Sequence, residues 1–220
     1  MAMTMMALSP SVVDYFIEGR SDVFALSWFV LALFLLDKKH VVLSSVVFAL
    51  SVLSKQTIWF AIPFYFMYVG KFSAQSRKTL VVSAIVCFAT LALFAGPFLL
   101  WDARAFFDSV IGYLSGSTEH SYPISGYGFS MVLQSLGLMK DIHGYYPSWM
   151  FQGLFGLPCL VIALRWLHHK PLMSRLILGY ALTLSVVWYF SRYLNNSHLG
   201  YLSSVYVLGI LKDSDEKETT

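Results

Sequence analysis

The chain has 220 residues, 57% of them hydrophobic and 12% charged, with a formal net charge of +3. A typical soluble domain carries roughly 25% charged residues, so no soluble core of this size could hide so much apolar surface, and the composition points to an integral membrane protein. The basic residues are scattered between hydrophobic segments and form no run, which argues against a nucleic-acid partner.

In chain order, residues 1–22 lack the basic start and cleavage site of a secretory leader. A first span is expected over Val23–Leu36. Residues 41–69 then form an apolar stretch whose only charge is Lys55, almost at its centre. A bilayer core of ~30 Å needs ~20 apolar residues per helix, so this stretch is long for one span and short for two full ones. As a single helix it would hold an ammonium near the midplane, at ~2.5–3.5 kcal/mol on translocon scales. Ser54, Gln56 and Thr57 flank the lysine and Pro63 follows, which favours two short segments, 41–54 and 57–69, meeting at a turn with Lys55 at its tip.

The longest clean span is expected over Thr79–Leu100, closing at Pro97 and Trp101. Residues 101–147 are polar and too broken to cross. They open with WDARAFFDSVIGYL, where Trp101, Ala105, Phe106, Val110, Ile111 and Leu114 recur at helical spacing opposite Asp102, Arg104 and Asp108, the pattern of an amphipathic surface helix. The following SGSTEHSYPISGYGF reads as a mobile loop over a pocket, with Glu119 and His120 as polar contacts. Further spans are expected over Pro147–Leu164, Leu172–Phe190 and Gly200–Leu211, and residues 212–220 as a disordered cytoplasmic tail. Residues 1–211 thus read as one all-α transmembrane bundle of about seven segments, without repeats or a soluble domain.

Cytoplasmic loops collect Lys and Arg. Alternating the loops gathers Lys38, Lys39, Lys71, Arg77, Lys78, Arg165, Lys170, Arg175, Lys212 and Lys217 on one side, against Arg20, Lys55, Arg104, Lys140 and Arg192 on the other. That sorting puts the C-terminus in the cytoplasm. The N-terminus, Lys55, the 101–147 loop and the RYLNNSH loop share the outer or lumenal face of a multi-pass protein.

Polar groups converge on that outer face. Glu18 and Asp22, at the mouth of the first span, are carboxylates able to accept sugar hydroxyl hydrogen bonds or take a proton. A solvated helix start, capped by Ser21, explains them equally. Lys55, with Gln56 beside it, suits an anionic headgroup; the alternative is a lysine snorkelling to the interface. Arg192 can pair bidentately with phosphate oxygens, and Tyr193, Asn196 and His198 add hydrogen-bonding groups in the same loop. Cys87 and Cys159 lie in apolar runs and read as buried hydrophobes, with no metal-ligand spacing. No residue pattern names a cofactor, and a divalent metal is left open.

The order of these features, G-x-S-D at a helix top, a hairpin with KQTIWFAIPF, a span, a DARAFF surface helix and RYLNNSHL before the last span, resembles the transmembrane core of the polytopic GT-C glycosyltransferases, especially their mannosyltransferase-like and uncharacterised prokaryotic branches. The likeness covers most of residues 15–211. It implies an all-helical enzyme using a polyprenyl-phosphate sugar donor on the outer or lumenal face, with Lys55 and Arg192 on the donor phosphate and Asp22 lining the sugar pocket. In that family the catalytic carboxylate lies in the first outer loop, after a span that here would precede residue 1. The resemblance therefore implies a C-terminal piece, a split subunit whose partner supplies the N-terminal helices, or a degenerate copy. Beside it stand two alternatives: a small transporter or flippase with broken helices, and a noncatalytic membrane subunit.

Overall fold

The computed structural model describes residues 21–72, 76–118, 121–139 and 141–218. Helix α1 (Ser21–Asp37) turns tightly into α2 (Val41–Ser54). His40 N–H bonds to Leu35 O and Lys39 N–H to Leu36 O, a Schellman closure with Lys39 in the left-handed region at φ 64°. Buried serines hold the two helices together: Ser44 and Ser51 donate to Ala32 O and Ala25 O, each at 2.8 Å. Small hydroxyl residues of this kind let helices approach where lipid removes the usual hydrophobic drive.

The expected break at Lys55 is present. Its φ/ψ of −164°/142° is extended, and a 3-10 turn (Gln56–Ala61) leads into α3 (Ile62–Phe72). Pro63 stands in the first turn of α3, where its missing N–H leaves no bond unmade. Phe48 stacks on Tyr65 with centroids 4.0 Å apart, and Trp59 Nε1 donates to Val52 O at 3.1 Å, so α3 folds back along α2 as a hairpin.

Helix α4 (Ser76–Phe107) runs past the expected span end, with Pro97 inside it. It kinks at Asp102 (φ −151°, ψ 91°), whose carboxylate accepts from Ala105 N–H at 2.9 Å, so the residue caps a new helix. A second helical segment thus starts where the amphipathic pattern begins and runs through a π-helical turn, Asp108–Gly112, to Ser115. Next come strand β1 (Ser125–Gly126), α5 (Phe129–Ser135), α6 (Ser148–His169), α7 (Met173–Tyr189), strand β2 (Tyr193–Leu194) and α8 (Asn196–Glu218). The core gathers on α1, α2, α3, α7 and α8, with α4 and α6 flanking α3.

Two expectations change. Strands β1 and β2 pair in parallel, Ser125 with Tyr193 and Gly126 with Leu194, so the stretch around 125–126 is docked on the 191–198 loop instead of hanging free. Gly126 (φ 91°) is required there, because a Cβ would collide with Leu194 O. The tail expected to be disordered from Lys212 is helical to Glu218. Glu216 accepts from Met173 N–H (2.9 Å) and from Ser174 N–H and Oγ, capping α7 from outside its own helix.

Helices stand at each of the places expected for the seven segments. Among the described residues two of them, Arg77–Ser115 and Ser148–His169, are long and apolar enough to cross a membrane.

Candidate active site

Asp22 opens α1, Lys55 sits at the hairpin tip, and the break in the chain brings them together. Lys55 Nζ lies 2.5 Å from Asp22 Oδ1 and 3.4 Å from Ser21 Oγ. The carboxylate is buried and the lysine side chain is 27% exposed, so one partner is committed to the protein interior and the other still meets solvent. Among the described residues no well-aligned hydrogen bond reaches Oδ1, which leaves ion pairing to offset its desolvation. The helix N-terminus adds a further positive field.

This pair opens into a cavity of about 400 Å³ with a mixed polar and aromatic lining, also formed by Gln56, Tyr113, Tyr122, Trp188, Tyr193, Asn195 and His198. Gln56 Nε2 donates to Val110 O at 2.9 Å, tying the hairpin tip to the π-helical turn. The Tyr122 and Tyr193 rings lie 4.6 Å apart, and Tyr113 meets Tyr122 edge-on. His198 Nδ1 accepts from Asn195 N–H at 3.2 Å, which puts the proton of a neutral ring on Nε2, and the ring stands edge-on to Trp188. Burial, followed by the neighbouring Tyr122, Asp22 and Tyr113, raises the Tyr193 phenol above its ordinary value, so it stays a neutral donor. A second cavity, about 550 Å³ and mainly apolar, lies between α2, the 3-10 turn and α4, lined by Val52, Trp59, Leu91, Phe94 and Phe98. Lys55 and Gln56 line both.

Of the residues expected from sequence, Asp22, Lys55, Gln56, Tyr193 and His198 meet in one place. Glu18, together with Glu119 and His120, lies outside the described residues. Asn196 starts α8 and is exposed; its neighbour Asn195 lines the cavity in its stead, donating from Nδ2 to the Tyr122 hydroxyl at 3.4 Å.

Arg192 departs furthest from expectation. It is 1% exposed, and its guanidinium donates to Tyr122 O (2.5 Å), Gly144 O (2.8 Å) and Ile142 O (3.2 Å). Burial lowers its pKa, opposed by the charge of Asp141. With its donors on backbone carbonyls, it is not presented to a phosphate in the cavity. Tyr122 carries no periodic signal in its Gly- and Ser-rich loop, and Tyr113, in the helical segment before it, falls outside the apolar repeat, so neither stands out in the sequence. Among the described residues no three His, Cys, Asp or Glu side chains converge as a metal site needs.

The arrangement offers a cation beside a carboxylate, an aromatic and amide wall, and an apolar cavity sharing the cation. A family model, glycosyltransferase family 87, matches residues 1–191, which bears out the glycosyltransferase resemblance read from the sequence. No curated protein and no solved structure matches the chain.

Proposed function

The chain belongs to glycosyltransferase family 87, a membrane glycosyltransferase, and from that premise we propose that it moves a sugar from a polyprenyl-phosphate donor onto an acceptor hydroxyl in the mixed cavity, on the outer face of a seven-span bundle. The observation that carries this reading is the meeting of an apolar cavity and a mixed polar and aromatic one at Lys55 and Gln56. A lipid phosphate is an anion on a hydrocarbon chain, and such a junction offers each part its own surroundings.

In this reading the isoprenoid lies along α4, the phosphate meets Lys55, and the sugar faces Tyr122, Tyr193 and Asn195. The phosphate competes with Asp22 for the ammonium and frees the carboxylate. Asp22 then takes the proton from the acceptor hydroxyl while its oxygen bonds to the anomeric carbon. The bond from that carbon to the phosphate oxygen breaks, and the polyprenyl phosphate leaves with the electron pair. Lys55 stabilises that growing charge without reorganising. Undecaprenyl phosphate titrated into the chain in nanodiscs is expected to bind. Lys55→Ala should weaken it by about 10- to 150-fold, the equivalent of ~1.5–3 kcal/mol for a hydrogen bond to a charged group. No binding by wild type, or equal binding by the variant, contradicts the proposal.

A further inference from the structure

Arg192 precedes Tyr193, whose ring walls the cavity, and its Nε holds the carbonyl of Tyr122, the ring opposite. The two remaining nitrogens reach Ile142 and Gly144, about twenty residues further along the outer loop. Ile142 O also accepts from Ile124 N–H at 2.9 Å, so the guanidinium and the chain after Tyr122 share one anchor. On the other side, Ser130 Oγ donates to Arg192 O at 3.1 Å. Gly116, with φ 86°, passes so close that a Cβ would run into Nη1 and stand 3.0 Å from Cζ. A planar fork spreads its donors over three nitrogens in fixed directions, so it reaches carbonyls on separate stretches, whereas the three donors of a lysine all sit on one atom at the end of a flexible stem.

We infer that Arg192 is a positioning residue: it pins two separate stretches of the outer loop against the start of β2 and thereby sets the tyrosine wall that faces the sugar, while leaving the phosphate to Lys55. This rests on the proposed site and assigns one corner of it to sugar recognition. Arg192 acts through Tyr122 and Tyr193 and touches no substrate.

The experiment uses Arg192→Lys, Arg192→Met and Gly116→Ala, the last of which crowds the guanidinium without altering it. Each is assayed in nanodiscs by hydrogen–deuterium exchange and by binding of two probes, undecaprenyl phosphate and undecaprenyl-phosphomannose. Losing charge-assisted bonds to the carbonyls should speed exchange over 121–126 and 142–146 by at least about tenfold, and by more than over α2 and α7. Affinity for bare undecaprenyl phosphate should stay within about twofold, whereas the extra affinity conferred by the sugar should fall by about tenfold, least in Arg192→Lys. Loss of the bare phosphate probe by Arg192→Lys to the extent seen for Lys55→Ala would make the guanidinium a phosphate ligand and overturn the inference. Unchanged exchange and unchanged sugar preference would overturn it as well. If wild type binds neither probe, the proposed function fails, and the exchange data still decide whether Arg192 holds the loop.

Discussion

Lys55 and Arg192 are the two cations that the sequence offers for one task, and the fold treats them oppositely. Lys55 stands at a helix break with one carboxylate partner and access to solvent, whereas Arg192 is enclosed and bonded to three carbonyls. A charge with donors left over can meet a ligand. One that is enclosed, with each of its three nitrogens on a backbone carbonyl, holds a loop in place. The difference follows from chemistry as much as position: an ammonium on a flexible stem suits a partner that changes during a reaction, and a rigid fork suits fixed carbonyls.

The largest effect that would break this contrast is on stability. Arg192→Met leaves buried carbonyls unpaired and should cost about 3–5 kcal/mol, the scale for removing one partner from a buried charged contact, read by thermal unfolding in detergent. Removing Lys55 together with the charge it balances, in Asp22→Asn/Lys55→Ala, should cost less, because no buried carboxylate is then left unpaired. If the two variants swapped rank, the assignment of roles would be reversed. Glu216→Ala removes the external cap of α7 and should cost about 1 kcal/mol, in line with lost helix caps. It should leave phosphate binding unchanged, since Glu216 lies at the other end of α7 from the cavity.

A smaller, pH-dependent effect sharpens the picture of the docked loop. Tyr146 is buried, and burial pushes its phenol from 10.0 to about 12. The unfolded chain therefore loses this proton first, so the stability that Tyr146 contributes is fully present below pH 10 and is lost as pH rises through about 12. Tyr146→Phe should make the fall in unfolding temperature across that window shallower. An unchanged slope would mean that the 141–147 stretch is not packed as described.

Much of the architecture was legible in the sequence where a single residue broke a strong local pattern. Lys55 interrupts an apolar stretch, so the hairpin could be read from it. Asp102 opens an amphipathic repeat, so the start of a new helical segment could be placed within a residue or two. The Arg192 contacts were not legible, because they join residues 48 to 70 positions apart through carbonyls, which every residue possesses. Asn195 and Asn196 differ only in where α8 begins, and helix starts are weakly encoded locally. Residues 212–218 read as a solvated tail because their charges dominate the composition. Their order hides a partner, since Glu216 is bonded to the start of α7, far away in sequence.

The central claim, that the Lys55 ammonium is held by Asp22 until a phosphate replaces it, is tested most directly by titrating undecaprenyl phosphate into wild type and Asp22→Asn in nanodiscs. Removing the competing carboxylate charge should tighten binding by about tenfold, the scale of one charged contact at 1.4 kcal/mol. Weaker binding by Asp22→Asn, or binding indifferent to the substitution, would contradict it and place the phosphate elsewhere.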